Sequence, residues 1–471
     1  MQEFLSLNPT AAEPVYRQIY ARFRSAITEG LLKPGDRIPA ARALANELGL
    51  ARGTVEAAYA LLVAEGYVET RGQSGSFVTP GLELRAPVPP VPRPSGTAVA
   101  GNGFQQSGFQ PFQMGLPALD AFPRKIWARL AARSARAMQA PDMTYPAIAG
   151  MEGLCEGIAR YLQFSRGINC SPSQIFVTSG YRATLELIVR ALLQPGDGVW
   201  IEQPGYPPTA ELLERAGMAL ATVPVDQDGI VVTQGVRLAP HARAAVVTPA
   251  HQSALCMSLS LQRRFALLDW AAQAGAWIVE DDYDGEYRYI SRPLPALKSL
   301  DRDGRVLYAG TFSKVLFPAI RLAYLVVPEA QTAHFAAVNR AFSGGSPALT
   351  QSIVADFIME GHFSRHIQRM RRLYGERRQI AADGLQRVLG KYMQVDPQPG
   401  GMHLVLRTRD GVSDAALVAR MREDGMFAQS LSDRMYRSPA QDAEHALLLG
   451  FTNIDSAATA EKLAKRMLKL M

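Results

Sequence analysis

The sequence predicts an α/β fold divided into a small N-terminal domain and a large C-terminal domain. Short apolar strands alternate with helical segments along the second part of the chain, which is typical of an α/β sheet with ligands at its strand C-terminal ends. Three helical segments and a hairpin pattern occupy the first part, and a proline-rich stretch separates the two. The predicted boundaries are 1–80, 81–111 and 112–471. The strands of the large domain are expected near Ile175, Val199, Ala219, Ala245, Ile278, Val306 and Ala323.

The first 80 residues predict a helix-turn-helix. Apolar residues recur every four positions ahead of Gly30, which indicates a helix that ends at this glycine. Pro39 begins a second helix, and Gly49 and Leu50 form the short turn that precedes a third. The third helix would enter the major groove of DNA. The three helices are expected over 14–30, 40–48 and 52–65.

A hairpin follows the third helix and predicts a wing. Two short strands, 67–70 and 76–79, flank the loop 71–75, which can reach DNA. Residues 1–80 carry eight Lys and Arg against eight Asp and Glu, although the whole chain has a net charge of +7. DNA binding is therefore expected to depend on local placement of arginines rather than on a domain-wide field. The predicted DNA contacts are Arg42, Arg52, Gly53, Thr54, Tyr59, Arg71, Ser74 and Gly75.

The composition indicates two globular units in a cytoplasmic protein. The chain has 471 residues, of which 48% are hydrophobic, but it has no apolar run long enough to span a membrane and no signal-peptide layout at its start. The three cysteines lack metal-ligand spacing, so reduced thiols and no metal site are expected. Between the domains, the proline-rich half of 81–111 predicts an extended spacer, and the polar half predicts a flexible one.

A lysine in the large domain predicts a pyridoxal 5'-phosphate site. Lys314 follows the apolar strand at Val306, and such a position suits an amine that forms a Schiff base. Thr311 and Ser313 can give hydroxyls to a phosphate, and Arg321 can give a fixed cation. A surface lysine beside a serine is the ordinary alternative, so further features are needed.

Those features lie upstream of Lys314. Asp281 ends an apolar strand and can face a pyridine nitrogen, and Tyr283 can reach the ring hydroxyl. Ser179 and Gly180 lie between a strand and a helix, where free backbone N–H groups can bind an anion. Tyr206 follows another strand and can stack on a flat ring.

These motifs carry a family resemblance over nearly the whole chain. Residues from about 112 to the end resemble a fold type I aminotransferase, and the first 80 resemble a winged helix of the GntR kind, so the combination is similar to the MocR/GabR-type transcription regulators. The motifs are EQPGY (202–206), TPAHQ (248–252), EDDYDGEYRY (280–289), GTFSK (310–314) and HIQRMRRLYGERR (366–378).

The resemblance implies roles for individual residues. Lys314 would be the aldimine lysine, Asp281 the pyridinium partner, Tyr283 the ring-hydroxyl partner and Tyr206 the stacking aromatic. The phosphate contacts would be Ser179, Gly180, Ser313 and Arg321. A head-to-tail homodimer is also implied.

Two positions depart from the family pattern or invite a second interpretation. Family members often have a serine before the third helix, where Ala51 stands here, and loss of that cap costs about 1 kcal/mol. Arg52 and the backbone near Gly53 are then expected to matter more. The arginine-rich stretch 362–378 resembles a nucleic-acid patch, but its apolar residues have helical spacing, so we interpret it as an amphipathic helix with a solvated basic face.

The resemblance leaves three functions to compare. The favoured one is a regulator that binds double-stranded operator DNA and senses pyridoxal phosphate, or its external aldimine with an amino compound. The alternative is an active aminotransferase with an accessory DNA-binding domain, and a fold that has lost its cofactor is the third. Departures after Gly180 and after the TPAHQ motif leave the effector open. Arg182, Arg434 and Arg437 are the candidates for binding an effector carboxylate.

Overall fold

In the computed structural model of the chain, two compact units comprise residues 1–106 and 107–471. The predicted linker, 81–111, lies across this division, and most of it falls outside the described residues. The described residues are 7, 13–82, 110–289, 295–396, 400–409, 412–437 and 444–471.

The described residues of the N-terminal unit form three helices and a small antiparallel sheet. Helices α2 and α3 are joined through Gly49, whose left-handed φ of 64° turns the chain sharply. Strand β3 pairs with β2 to form the predicted hairpin, and it also pairs with β1, which was not predicted. The elements are α1 (Val15–Thr28), β1 (Arg37–Ile38), α2 (Ala41–Leu48), α3 (Arg52–Ala64), β2 (Val68–Thr70) and β3 (Ser76–Val78).

The core of this unit corrects one predicted DNA contact. Tyr59 is only 7% exposed, its ring lies 5.5 Å edge-on from that of Phe23, and its hydroxyl donates to the Pro39 carbonyl at 2.9 Å. The prediction that Tyr59 contacts DNA is therefore wrong for its side chain, because the inner face of α3 turns it into the core. The other buried side chains here include Ile19, Phe23, Ile27, Leu44, Val55 and Leu62.

Helix α3 begins without a side-chain cap. Ala51 has the extended φ and ψ of an N-cap residue but offers no acceptor to the free N–H groups of the first turn. We expect Ala51→Ser to raise the free energy of unfolding of this unit by about 1 kcal/mol. Thermal or urea unfolding checks this value, with Ala57→Ser on the exposed face of the same helix as the control that should not stabilise.

The large unit contains eleven helices in its described residues. The first two helices precede the first strand of the larger sheet, and the longest helix, α12, has 28 residues. The helices are α4 (Arg124–Ala137), α5 (Glu152–Arg166), α6 (Tyr181–Leu192), α7 (Pro207–Arg215), α8 (Val232–Leu238), α9 (Leu261–Ala274), α10 (Thr332–Phe342), α11 (Ala348–Met359), α12 (His362–Leu389), α13 (Asp414–Glu423) and α14 (Ala457–Leu470).

In the part of the large unit that the structure describes, twelve strands form two sheets. All seven predicted strands are present, and each belongs to the larger sheet. The strands are β4 (Ile175–Thr178), β5 (Gly198–Gln203), β6 (Ala219–Asp226), β7 (Gly229–Ile230), β8 (Ala244–Val247), β9 (Trp277–Asp282), β10 (Val306–Thr311), β11 (Ala323–Val326), β12 (Met393–Asp396), β13 (His403–Thr408), β14 (Gln429–Ser430) and β15 (Ala446–Gly450).

The larger sheet has the order β4-β11-β10-β9-β8-β5-β6-β7. Strands β10, β9, β8, β5 and β6 are parallel neighbours, while β11 runs antiparallel between β10 and β4. Strand β4 therefore points the same way as the parallel strands. Its carboxyl end, the carboxyl ends of β5, β9 and β10, and the start of β11 all lie at one edge of the sheet.

The smaller sheet, of order β12-β13-β15-β14, is antiparallel throughout and packs with α12 and α14 around a core of its own. Helix α12 is amphipathic as expected: Phe363, Ile367, Met370 and Tyr374 are buried, whereas Arg365 is exposed. Among the helices of the described ranges, none is long and apolar enough to cross a membrane.

Candidate functional site

Sequence-predicted site residues converge at the sheet edge where β4, β5, β9 and β10 end. Asp281 is the penultimate residue of β9, and Lys314 follows β10 in the adjacent position of the sheet. A cavity opens there, and its wall includes Tyr206, Asp281 and Arg434. One edge of one sheet therefore supplies the predicted lysine, carboxylate and aromatic ring.

Lys314 lies against the chain that enters the large unit. Its Nζ donates a hydrogen bond to the Gly115 carbonyl at 2.9 Å. Burial lowers the pKa of Lys314, although Asp284 and Asp281 oppose the effect. A lowered pKa leaves more of the amine uncharged near neutral pH, which is the form that attacks a carbonyl carbon.

A cradle for an anion lies at the start of α6. Gly180 precedes this 12-residue helix with a φ of 121°, and a Cβ atom at this position would lie 3.1 Å from Nη2 of Arg321. This positive φ favours glycine, and the guanidinium thus lies close to the backbone beside the free N–H groups of the helix. Ser179 lies next to Gly180.

Thr311 and Ser313 occupy the turn after β10. The Thr311 Oγ1 atom accepts from the Ser313 backbone N–H at 3.2 Å, which holds the two hydroxyl-bearing residues in one turn. Both residues belong to the GTFSK motif, which places them close to Lys314 in the sequence.

Two adjacent aspartates at the end of β9 have opposite environments. Asp282 accepts from Arg166 at 2.6 Å and from the Tyr308 hydroxyl at 2.7 Å, and although burial opposes it, Arg166 holds the pKa of Asp282 below its ordinary value. Asp281 lies on the cavity wall, where burial and the Asp282 charge raise its pKa well above the ordinary range. A cationic N–H in the cavity would stabilise the Asp281 carboxylate.

Two tyrosines offer different contacts to a ring. The Tyr283 hydroxyl is buried and has no hydrogen-bond partner among the described atoms. Tyr206 is 41% exposed at the cavity mouth, with the guanidinium carbon of Arg434 lying 5.6 Å from its ring centroid. A buried hydroxyl without a partner is costly, so a ligand atom that bonds to Tyr283 would be favoured.

The three candidate arginines separate clearly by burial. Arg434 is 7% exposed; its Nη2 donates to Gln429, while its Nη1 is buried and has no partner among the described atoms. Arg182 forms an exposed ion pair with Glu211 at 3.6 Å. Arg437 also lies on the cavity wall but is exposed and paired with Glu214.

Several wall residues were not predicted as ligands. Tyr181, the first residue of α6, shares a hydrogen bond of 2.8 Å between its hydroxyl and Thr209 Oγ1. The Ser253 hydroxyl is buried and has no hydrogen-bond partner among the described atoms. Both had a signal in the sequence, because they fall where this chain departs from the family pattern. Glu202 accepts from the Thr248 hydroxyl at 2.6 Å, so it ties the EQPGY motif to the TPAHQ motif.

The donors and acceptors at this edge of the sheet suit pyridoxal phosphate. The fit rests on the buried groups of Tyr283 and Arg434 that lack partners in the described structure, on the Gly180 cradle, and on the amine of Lys314. In the same described ranges, no group of three or more His, Cys, Asp or Glu side chains is placed to hold a metal ion.

The predicted DNA contacts lie mostly on exposed positions of α2, α3 and the wing. Arg42 is exposed on α2, and Arg52, at the start of α3, pairs with Glu56 at 2.7 Å. Arg71 pairs with Glu69 at 2.5 Å at the base of the wing. Exposed pairs of this kind are weak, so phosphates can compete for the arginines. Gly53, Thr54, Ser74 and Gly75 are exposed or partly exposed.

Arg37 is an additional basic residue at the wing that sequence reasoning missed. A Cβ atom on Gly75 would lie 3.1 Å from its Nε atom, so the Arg37 side chain lies directly against the wing loop. Its strand, β1, has only two residues and gives no periodic signal in the sequence.

The positions of Arg42 and Tyr59 predict different effects on DNA binding. We expect Arg42→Ala to reduce the slope of log affinity against log salt by about 1, as for the loss of one phosphate contact. Tyr59→Phe should leave that slope unchanged and lower the free energy of unfolding by about 1 kcal/mol, because it removes the bond to Pro39. Fluorescence anisotropy with a duplex that the wild-type protein selects from a random-sequence pool measures both slopes. A reduced slope for Tyr59→Phe would contradict the core assignment.

Comparison with known proteins agrees with this architecture. Residues 15–78 match the gntR family of bacterial regulatory proteins, and residues 118–435 match aminotransferase class I and II. The chain is 36% identical to the probable rhizopine catabolism regulatory protein MocR of Rhizobium meliloti, over 97% of this chain and 94% of that protein. It is 34% identical to the HTH-type pyridoxine biosynthesis transcriptional regulator PdxR of Corynebacterium glutamicum, over 85% of each.

Solved structures confirm the fold of the large domain. The alpha-aminoadipate aminotransferase LysN of Thermus thermophilus is 26% identical with a TM-score of 0.68, covering 76% of this chain and 92% of that one. A kynurenine aminotransferase of Pyrococcus horikoshii has a TM-score of 0.70 at 24% identity, covering 78% of this chain and 91% of that one. The predicted resemblance and fold class are thus confirmed. The chain belongs to the MocR-type family of HTH transcriptional regulators, in which a gntR DNA-binding domain precedes a domain with the fold of the pyridoxal phosphate-dependent aminotransferases of class I and II.

Proposed function

We propose that this regulator binds pyridoxal phosphate at Lys314 and changes its DNA binding when an amino compound displaces that lysine. The observation that carries the proposal is the set of groups at one edge of the sheet: the partly buried amine of Lys314, the Asp281 carboxyl group, and the buried Tyr283 and Arg434 groups that lack partners in the described structure. A folded protein seldom leaves several such groups together unless a ligand binds them.

Each cofactor contact falls to a named residue. When bound, pyridoxal phosphate supplies an aldehyde that condenses with amines and a ring that withdraws electrons. Lys314 would bond the aldehyde carbon, Asp281 the ring nitrogen and Tyr283 the ring hydroxyl, with Tyr206 against the ring. The phosphate would lie among Ser179, Gly180, Thr311, Ser313 and Arg321.

Arg434 is the residue best placed to bind an effector carboxylate. It is the only one of the three candidate arginines that is buried, and its Nη1 points at no partner among the described atoms. Arg182 and Arg437 are exposed to solvent, where an ion pair with a carboxylate contributes little, so we assign them no contact with the carboxylate. The effector is then a compound with both an amine and a carboxylate.

The remaining partners follow from the family. Double-stranded operator DNA would contact the exposed arginines of α2, α3 and the wing, and a head-to-tail homodimer in the cytoplasm would present two such surfaces. The relative PdxR is named for pyridoxine biosynthesis, which supports a vitamer or its amine adduct as the signal here.

An active aminotransferase is the second candidate function. The lowered pKa of Lys314 favours it, because a free lysine of this kind can also move a proton between a bound substrate and the cofactor. Sensing needs only exchange of the amine, whereas transamination needs that further proton transfer.

The absorption spectrum with pyridoxal phosphate and a panel of amino compounds separates these functions. A visible band that one amine shifts to a stable new position supports the sensor. Steady conversion of the cofactor to its amine form supports the aminotransferase, and a protein that stays colourless contradicts both.

A further inference from the structure

We propose that the segment Gln110–Ala118 transmits the state of Lys314 to the linker. This inference rests on the proposed function, because it concerns how an occupied Lys314 site changes the rest of the chain. The segment is where the chain passes from the linker into the large unit. It contains Gly115, the residue whose carbonyl accepts from Lys314 Nζ at 2.9 Å.

The contact between Lys314 and the Gly115 backbone is close, and the conformation at Gly115 favours glycine. Gly115 has a φ of 66°, and a Cβ atom on it would lie 2.6 Å from Nζ. The backbone of the segment, rather than any side chain, therefore contacts the reactive amine.

The hydrogens on Nζ depend on what the lysine is bonded to. A free ammonium has three, one of which serves the Gly115 carbonyl. Condensation of the amine with an aldehyde forms a C=N bond and releases water, so the nitrogen keeps at most one hydrogen. When another amine forms the C=N bond in its place, the bond from the aldehyde carbon to Lys314 breaks. The two hydrogens that the incoming amine loses are then gained by the Lys314 nitrogen. The Gly115 carbonyl thus faces three hydrogens while the lysine is free and at most one while it is bonded to the aldehyde, so its bond to Nζ is weakened by the condensation.

The rest of the segment is tied to the smaller sheet and to α12. The Gly450 N–H donates to the Phe112 carbonyl at 3.0 Å, and the Phe427 N–H donates to the Pro111 carbonyl at 2.8 Å. The Thr452 hydroxyl donates to the Leu116 carbonyl.

The end of the segment is hydrogen-bonded to α12. The Ala118 N–H donates to the Tyr374 hydroxyl at 2.9 Å, and Asp120, just beyond, accepts from Arg377 at 2.6 Å. A change in the strength of the Gly115 bond therefore acts on a segment that is also bonded to the smaller sheet and to α12, and the backbone between these bonds carries the change along the segment.

Amide hydrogen exchange of the full chain tests this directly. The first comparison needs no cofactor: Lys314→Met keeps the length of the side chain but removes the donor to Gly115. We expect the amides of 110–118, together with Phe427 and Gly450, to exchange about fivefold faster or more in Lys314→Met than in the wild-type chain. Equal exchange rates would overturn the proposal, whatever the protein does with pyridoxal phosphate.

The second comparison uses the wild-type chain with pyridoxal phosphate, before and after methoxyamine takes the aldehyde from the lysine. Exchange in the segment should rise with pyridoxal phosphate and fall again with methoxyamine, and no change with a visible band present would overturn the inference. Absence of that band would instead contradict the proposed function, and the Lys314→Met comparison would still decide the inference.

A pair of threonine variants tests whether the ties of the segment matter. Thr452→Val removes the hydroxyl bond to Leu116 and should leave the visible band intact, but make exchange in 110–118 fast with or without methoxyamine. Thr408→Val is the matched control, because its hydroxyl also donates to a backbone carbonyl, that of Val412, away from the segment. The same effect from both variants would contradict a specific role for the segment.

Discussion

Replacement of Lys314 by alanine is expected to abolish the visible absorption band that pyridoxal phosphate gives with the wild-type protein. Lys314 is the amine at the carboxyl edge of the sheet, near Asp284 and Asp281, and burial lowers its pKa. Without it, the aldehyde has no lysine partner in the cavity, and added amino compounds should no longer produce a spectral shift that depends on lysine exchange. Titration of the purified variant with pyridoxal phosphate measures this loss.

Lys125→Ala is a suitable control for that experiment. Lys125 is exposed on α4, where any bond to pyridoxal phosphate would be that of an ordinary surface amine. The control should keep the full band of the wild-type chain. A band of unchanged position and strength in Lys314→Ala would show that another amine binds the aldehyde, and the site assignment would be wrong.

Arg434→Gln should weaken the binding of amino compounds that have a carboxylate by about 100-fold, which corresponds to about 3 kcal/mol. The guanidinium is buried and its Nη1 has no partner among the described atoms. A carboxylate there would accept a charge-assisted hydrogen bond that is shielded from water. The midpoint of the spectral titration gives the affinity. Decarboxylated amines of the same skeleton should lose far less, because they make no bond to this residue.

Arg437→Gln provides the matched comparison on the same cavity wall. Arg437 is exposed and paired with Glu214, so its removal is expected to change the affinity by less than about fivefold. Equal losses in the two variants would mean that the carboxylate does not bind at Arg434. Selective loss at Arg437 would place it at the mouth of the cavity instead.

The sequence predicted the large sheet well because its strands are buried on both faces. Strands such as β8 and β10 are mainly apolar and almost fully buried, and every expected strand of this sheet was found. The smaller sheet was not predicted. Its strands β12 and β14 are short and partly exposed, and they become strands only by pairing with β13 and β15.

The cofactor residues could be predicted for a similar reason, since they follow strand ends within short contiguous motifs. What the sequence did not distinguish was burial. Tyr59 and Arg434 illustrate this in opposite directions, as one expected surface residue is in a core and one arginine of three is inside the cavity. Both outcomes depend on which face of a helix or turn meets the rest of the fold, and that is decided by distant contacts.

Gly115 could be identified only from the structure. Ser253, which reaches the cavity wall from the loop after β8, follows the TPAHQ motif where the chain departs from the family pattern. Gly115 reaches Lys314 from a part of the chain 199 residues away. No local pattern marks Gly115 as part of the site, because its role arises from long-range packing.

The most direct test of a link between the Lys314 site and DNA binding is the affinity for a selected operator duplex in the presence of pyridoxal phosphate. This affinity is measured with and without an amino acid that shifts the visible band. We expect the amino acid to change the dissociation constant of the wild-type protein by at least about fivefold and to leave that of Lys314→Ala unchanged. A wild-type dissociation constant that stays the same while the band shifts would contradict this link, because ligand binding in the large domain would then have no effect on the affinity for DNA.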